Sequence, residues 1–198
     1  MKPIMDMWLR ARRSALALFG DISGLAATEF ALVVPVMLVL FFGTDEFASG
    51  IAVSRKVTLM ARTLSDLTSQ NTSVNDTQLT NIRNASVAIM TPYSATPVKS
   101  TITELYVDPN TLAARVQWSK GDAPRTVGTT VVIPGALQVK GSYLIYSEVS
   151  YAFVPTVGYV LKNSITLKDF TLTRPRQSTC VIYPTPAAGS PSPPCPTS

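Results

Sequence analysis

Hydrophobic positions follow three regimes along the chain. From 25 to 43 the residues read LAATEFALVVPVMLVLFFG, and Glu29 is the one charge among these 19 positions. At about 1.5 Å per residue, a helix of that length spans roughly the 30 Å hydrocarbon core of a bilayer. Beyond it, Val53, Val57, Met60, Leu64 and Leu67 recur at helical intervals, with Arg55, Lys56, Arg62 and Asp66 elsewhere. The pattern predicts one continuous helix of about forty residues, apolar all round in its first half and amphipathic in its second. The amphipathic half either lies on anionic lipid or docks on the protein's own sheet, and docking is the expectation.

A shorter helix is announced by its start and stop signals. Asn75 is placed to cap it with Gln78 three residues on, and Val74 and Leu79 are placed as a hydrophobic staple. Leu79, Ile82, Ser86 and Ile89 mark one face, and Pro92 stops it. After about residue 100 the period changes to two. A run over 101–107, a turn at Asp108, Pro109 and Asn110, and the alternation of Leu112, Ala114, Val116 and Trp118 predict an antiparallel hairpin. Strands are expected at 127–133 and at 143–153, the latter stopped by Pro155. In the last run, Ile165 and Leu167 give way to Phe170 and Leu172, a phase shift that a bulge near Lys168 and Asp169 would explain.

The order long helix, short helix, antiparallel sheet of about five strands is α+β. Residues 184–198 hold six prolines among Ala, Ser, Gly and Thr and cannot pack a core, so they read as a tail. All seven tyrosines lie between 93 and 183, as expected of aromatics that pack a folded aqueous domain and keep a polar tip wet.

Composition removes most catalytic chemistry. With no histidine there is no Ser-His-Asp or Cys-His pair and no His-based metal site, and two cysteines cannot build a Cys₄ site. No Gly-rich phosphate loop or metal-spaced acidic cluster is present, so no cofactor and no metal are expected. The net charge of +5 does not indicate nucleic acid: without residues 1–24 the chain keeps 13 basic and 10 acidic residues, scattered without aromatic interleaving. Asn71, Asn75 and Asn84 stand in sequon matches that matter only in a eukaryotic secretory pathway. Asp45 and Glu46 read as a surface pair at the membrane edge. Cys180 and Cys195 are expected to pair outside the cytoplasm and pin the tail, the alternative being free or intermolecular thiols.

The basic residues Lys2, Arg10, Arg12 and Arg13 precede the apolar run, but Arg55, Lys56 and Arg62 follow it almost as closely. Local charge is therefore nearly balanced. A long C-terminal domain translocates largely regardless of charge, which places the N-terminus inside and the bulk of the chain outside. Three fates remain for such a start: a secretory signal cut near 48–50, an uncut anchor, or a cut before the apolar run.

Gly24 stands immediately before the apolar run, and a cut after it would make Glu29 the fifth residue of the mature chain. This resembles the processing site of type IV pilins and pseudopilins. The stretch GLAATEFALVVPVMLVLFFGTDEF is similar to the TadE/TadG-like family of the tight-adherence (Flp) pilus system. That family shows a Gly-hydrophobic-Ala-Ala-x-Glu-Phe-Ala start, a Pro in the span and a Gly followed by an acidic residue, here Gly24, Glu29, Phe30, Pro35, Gly43 and Glu46. VSYAFVPTVG at 149–158 and TLTRPR at 171–176 look like the family's closing strands, while 70–140 carries nothing family-specific.

The resemblance implies a pseudopilin or minor pilin involved in assembly of a type IVb (Flp/Tad) pilus, a substrate of prepilin peptidase and not itself an enzyme. Its partners would be the inner membrane, the prepilin peptidase, other pilus assembly components and the major pilin, with no nucleic acid and no small-molecule substrate. The corresponding organisation is a cytoplasmic leader (1–24), a transmembrane helix (25–43), a periplasmic helical segment (44–99), a β domain (100–180) and a Pro-rich tail (181–198). In it, Gly24 and Leu25 form the processing site and Glu29 the assembly carboxylate. A carboxylate in an apolar span costs about 2.5–3.5 kcal/mol at the bilayer centre and less near the edge. The α-ammonium that cleavage would create on Leu25 is a natural partner for Glu29 of a neighbouring subunit. The plainer reading of Glu29 is a side chain snorkelling to the interface. Gly24 is expected to give the peptidase an extended backbone, and Pro35 a mild kink. The alternatives are an uncleaved single-pass inner-membrane protein with a periplasmic binding domain and, without a supporting motif, an anchored Ser or Asp hydrolase.

Overall fold

The computed structural model describes residues 23–155, 164–185 and 195–196. Its elements are α1 (Ser23–Ser69), α2 (Asp76–Val87), β1 (Val98–Val107), β2 (Ala114–Gly121), β3 (Thr130–Val131), β4 (Tyr143–Phe153) and β5 (Ile165–Thr173). This is the α+β layout expected, with α1 as one unbroken helix that contains Pro35. The chain divides into two compact units, Met1–Glu46 and Phe47–Ser198.

In the first unit the described residues are the apolar half of α1. Its most apolar 18-residue window has a mean hydropathy of 2.3 and buries none of its residues within the protein. Phe30, Leu32, Val36, Met37, Leu40 and Phe41 are all exposed. In water such a surface would be strongly unfavourable, and lipid is the solvent that suits it. Thr28 and Thr44 turn their hydroxyls back to the carbonyls of Leu25 and Leu40, at 2.8 and 2.7 Å, so their polar groups are satisfied within the helix.

In the second unit Val53, Val57, Met60, Ala61 and Leu64 form a buried stripe on α1 that packs on one face of the sheet, against Ile102, Trp118, Ile145, Val149, Tyr151 and Phe153. Truncating a residue such as Met60 or Leu64, neither of which reaches solvent, costs about 2–5 kcal/mol. The Ser65 hydroxyl donates to the Ile145 carbonyl at 3.2 Å, and the Thr58 hydroxyl donates to Asp169 on β5. Docking on the sheet is thus the arrangement adopted.

Asn75 accepts from the Gln78 amide and Gln78 accepts from the Asn75 amide, both at 2.9 Å, closing a capping box at the start of α2. Val74 and Leu79 enter the same core. After α2 a single 3₁₀ turn over Ala88–Met90 precedes Pro92, and the Lys56 ammonium caps its carbonyls at Ile89 and Thr91, at 2.8 and 2.7 Å.

The sheet order is β3-β2-β1-β4-β5, antiparallel throughout. Asp108 accepts from the amides of Asn110 and Thr111 and so shapes the β1–β2 turn, which holds Leu112 at a φ of 59°. The expected strand at 127–133 shrinks to two residues. The expected bulge in the last strand is absent: β5 pairs with β4 residue for residue from Ile165 to Thr173. Both of its faces carry apolar side chains because both are used, Leu167 against the helix-side core and Leu172 against a second core on the outer face. The bulge lies instead in β2. Glu104 pairs with Trp118 and Leu105 with Val116, which makes Gln117 the extra residue. Trp118 therefore faces α1 while Val116 and Ala114 join the outer core, so the face expected to hold all three is split.

Candidate functional site

Gly24 and Leu25 lie in the first turn of α1 and Glu29 in the next, all three exposed. A Cβ added at Gly24 would meet no atom within 4 Å among the described residues. The backbone there is helical, however, and not extended as expected. The apolar residues that follow propagate the helix back through Gly24, since each added residue after nucleation gains a hydrogen bond. Glu46 departs from expectation as well: Asp45 is exposed, but Glu46 is buried, at 3% exposure.

The second constellation gathers around the C-terminal strap, residues 174–185. Arg176 reaches back to the end of α1, its amide bonded to the Ser69 carbonyl at 2.9 Å and its guanidinium 2.5 Å from Asp66. Ile182 then runs parallel to the α1–α2 linker, accepting from the Val74 amide at 2.9 Å and donating to the Thr72 carbonyl at 3.1 Å. Cys180 is joined to Cys195 by a disulfide with a Cα–Cα distance of 5.7 Å. The Tyr143 hydroxyl donates to the Pro196 carbonyl at 2.7 Å, which keeps this end of the chain on the sheet.

At the centre of the strap Val181 is held from both sides. Its amide donates to Glu104 Oε1 at 2.6 Å, and its carbonyl accepts from Trp118 Nε1 at 2.8 Å. Glu104 is wholly buried, and burial pushes its carboxyl up to about 8, the Val181 amide and the Trp118 indole pulling against that rise. Its Oε2 has no hydrogen-bond partner among the described residues. The sequence held a signal for this group, since Glu104 occupies a position of the same parity as the core residue Ile102. Further along the strap, Tyr183 packs on Trp118, donates to Asp76 at 2.8 Å and lies under the Lys120 ammonium. The Tyr183 hydroxyl and Lys120 hold the exposed Asp76 carboxyl below its usual range. The tyrosine tips expected to stay wet thus find protein partners at Tyr143 and Tyr183. Nothing in this arrangement is a nucleophile with a base, and the described residues hold no group of three metal-ligating side chains.

The first unit offers an apolar helix of a length and composition that suit a membrane, and the second unit a small antiparallel sheet with the amphipathic end of α1 packed on one face. Residues 24–64 match the family model described as TadE-like protein. The match begins at Gly24 and ends within the stripe of α1 that packs on the sheet. No curated protein and no solved structure matches the chain.

Proposed function

We propose that this chain is a pseudopilin or minor pilin of a Tad-type pilus, inserted in the inner membrane with its N-terminus cytoplasmic, cut after Gly24 by a prepilin peptidase and assembled through α1. The observation that carries the reading is the TadE-like match starting at Gly24, with Glu29 as the one charge of an exposed apolar span. After a cut, the Leu25 ammonium of one subunit and Glu29 of its neighbour neutralise each other, removing the cost of holding a carboxylate close to hydrocarbon. The second unit then stands in the periplasm as a folded head.

The test is the mature N-terminus, read by mass spectrometry of protein from its native membrane, with and without the peptidase. A chain starting at Leu25 is expected. A start at Met1 would make the protein an uncleaved anchored periplasmic module, and a start near 51 would make the apolar run a secretory signal. Gly24→Ala should slow processing, and Glu29→Ala should spare it but impair assembly. Unchanged piliation in the Glu29→Ala strain would refute the pairing.

A further inference from the structure

The outer face of the sheet, opposite α1, carries a groove of about 650 Å³ that no role discussed so far uses. Its floor is two rows of side chains running across β1, β4 and β5. One row is Lys99, Ser150 and Lys168; the next is Thr101, Glu148 and Phe170. Neighbouring strands lie about 4.8 Å apart, so the two lysines stand roughly 10 Å apart at their Cα atoms with a serine hydroxyl between them. Both lysines are exposed, and neither their ammonium groups nor the Ser150 hydroxyl has a partner among the described residues. Phe170 is 52% exposed and packs one side of its ring near Tyr146, at 5.5 Å between centroids.

The groove wall is fixed. Arg125 makes a two-point bond to Glu148 at 2.9 and 2.7 Å and lies over the Tyr146 ring, which neutralises the one carboxylate of the floor. Asp169 also borders the groove, but its carboxylate accepts from Thr58 on the opposite face and from the Phe170 amide. The free charge facing the groove is therefore that of Lys99 and Lys168, both positive.

We infer that this groove binds an acidic saccharide, with carboxylates of separate sugar units on Lys99 and Lys168 and a pyranose face against Phe170. Charge complementarity selects an anion. The groove floor selects a sugar over an acidic peptide: the backbone of β1 and β4 is committed to ladder bonds on both sides, and the edge of β5 that has no strand partner among the described residues points along the plane of the sheet, away from the floor. Side-chain hydroxyls and an exposed aromatic ring instead match ring hydroxyls and the apolar face of a pyranose.

The experiment measures binding of a fluorescent galacturonate hexasaccharide to the full chain in detergent at about 0.15 M salt, where loose surface attraction is screened. A neutral glucose hexasaccharide and a hexaglutamate peptide serve as competitors. The expected result is displacement by neither, with affinity falling about tenfold or more in Lys99→Gln/Lys168→Gln and severalfold in Phe170→Ala but not in Phe170→Tyr. Trp118 fluorescence confirms that each variant is folded. Absence of binding to the folded parent would overturn the proposal, as would equal competition by hexaglutamate or a Phe170→Ala variant that binds like the parent.

Discussion

Replacing Glu104 by Gln should abolish most of the pH dependence of stability in the head between pH 5 and 8. In the folded protein burial raises this carboxyl from its ordinary 4.5 to about 8. Below 4.5 both folded and unfolded chains hold the proton, and the contribution to stability is fully present. Between 4.5 and 8 the unfolded chain has released the proton while the folded one keeps it, so folding stability falls with rising pH by about 1.4 kcal/mol per unit. Over the window this amounts to about 5 kcal/mol, and above 8 the loss is complete. The amide of the Glu104→Gln variant would be neutral throughout and would still offer an oxygen to the Val181 N–H. Parent and variant should therefore match near pH 5 and separate progressively toward pH 8, the variant being the more stable. Other titrating groups cancel in the comparison: burial raises Tyr143 to about 12, above the window, and Asp76 and Asp108 are held below the usual carboxylate range, under it. Urea midpoints of the full chain in detergent would be followed by Trp118 fluorescence in a Trp8→Phe background, because the Trp118 indole is bonded to the strap itself. Parallel pH curves for the two proteins would refute the reasoning.

Gly121→Ala should destabilise the head by about 2–4 kcal/mol, since φ is +142° there and the new Cβ would fall 2.2 Å from the Ser100 carbonyl oxygen; thermal unfolding checks it. Asn75→Ala opens the capping box and should cost about 1 kcal/mol, with amide exchange accelerated first in α2. Replacing Cys180 and Cys195 together by Ala should lower stability by at most about 3 kcal/mol, the value for closing a loop of 15 residues, and should increase protease cleavage in the strap; a midpoint unchanged under oxidising conditions would contradict it.

The elements set by one local signal were legible in the sequence. The spacing of Val53, Val57, Met60 and Leu64 revealed the buried face of α1, the Asn75 and Gln78 pair revealed the start of α2, and β4 runs over the residues its alternation marked. What could not be read depends on partners distant in sequence. The phase change in β5 has two local explanations, a bulge or two buried faces, and only the positions of α1 and the outer core decide between them. The bulge at Gln117 is fixed by pairing with β1, and nothing in ARVQWSKG announces it. At the candidate sites, Gly24, Leu25 and Glu29 were singled out by a motif, whereas the grip of Glu104 on Val181 joins residues 77 apart in the chain. The helical state of Gly24 is not legible because a lone glycine before an apolar run reads equally well as a boundary or as a first turn.

The strap gives the head a defined way of bearing force. Tension entering along the C-terminal half of α1 arrives at Asp66 and Ser69, where the Arg176 ion pair and amide bond pass it directly to the strap. From there the bonds among Thr72, Val74, Ile182 and Thr185 lie side by side, so the load is shared as shear and not opened one bond at a time. Trp118 and Glu104 anchor the far side of the same segment in the sheet. A pull on the C-terminal half of α1 is thus shared between the strap and the sheet before any single strand is peeled away.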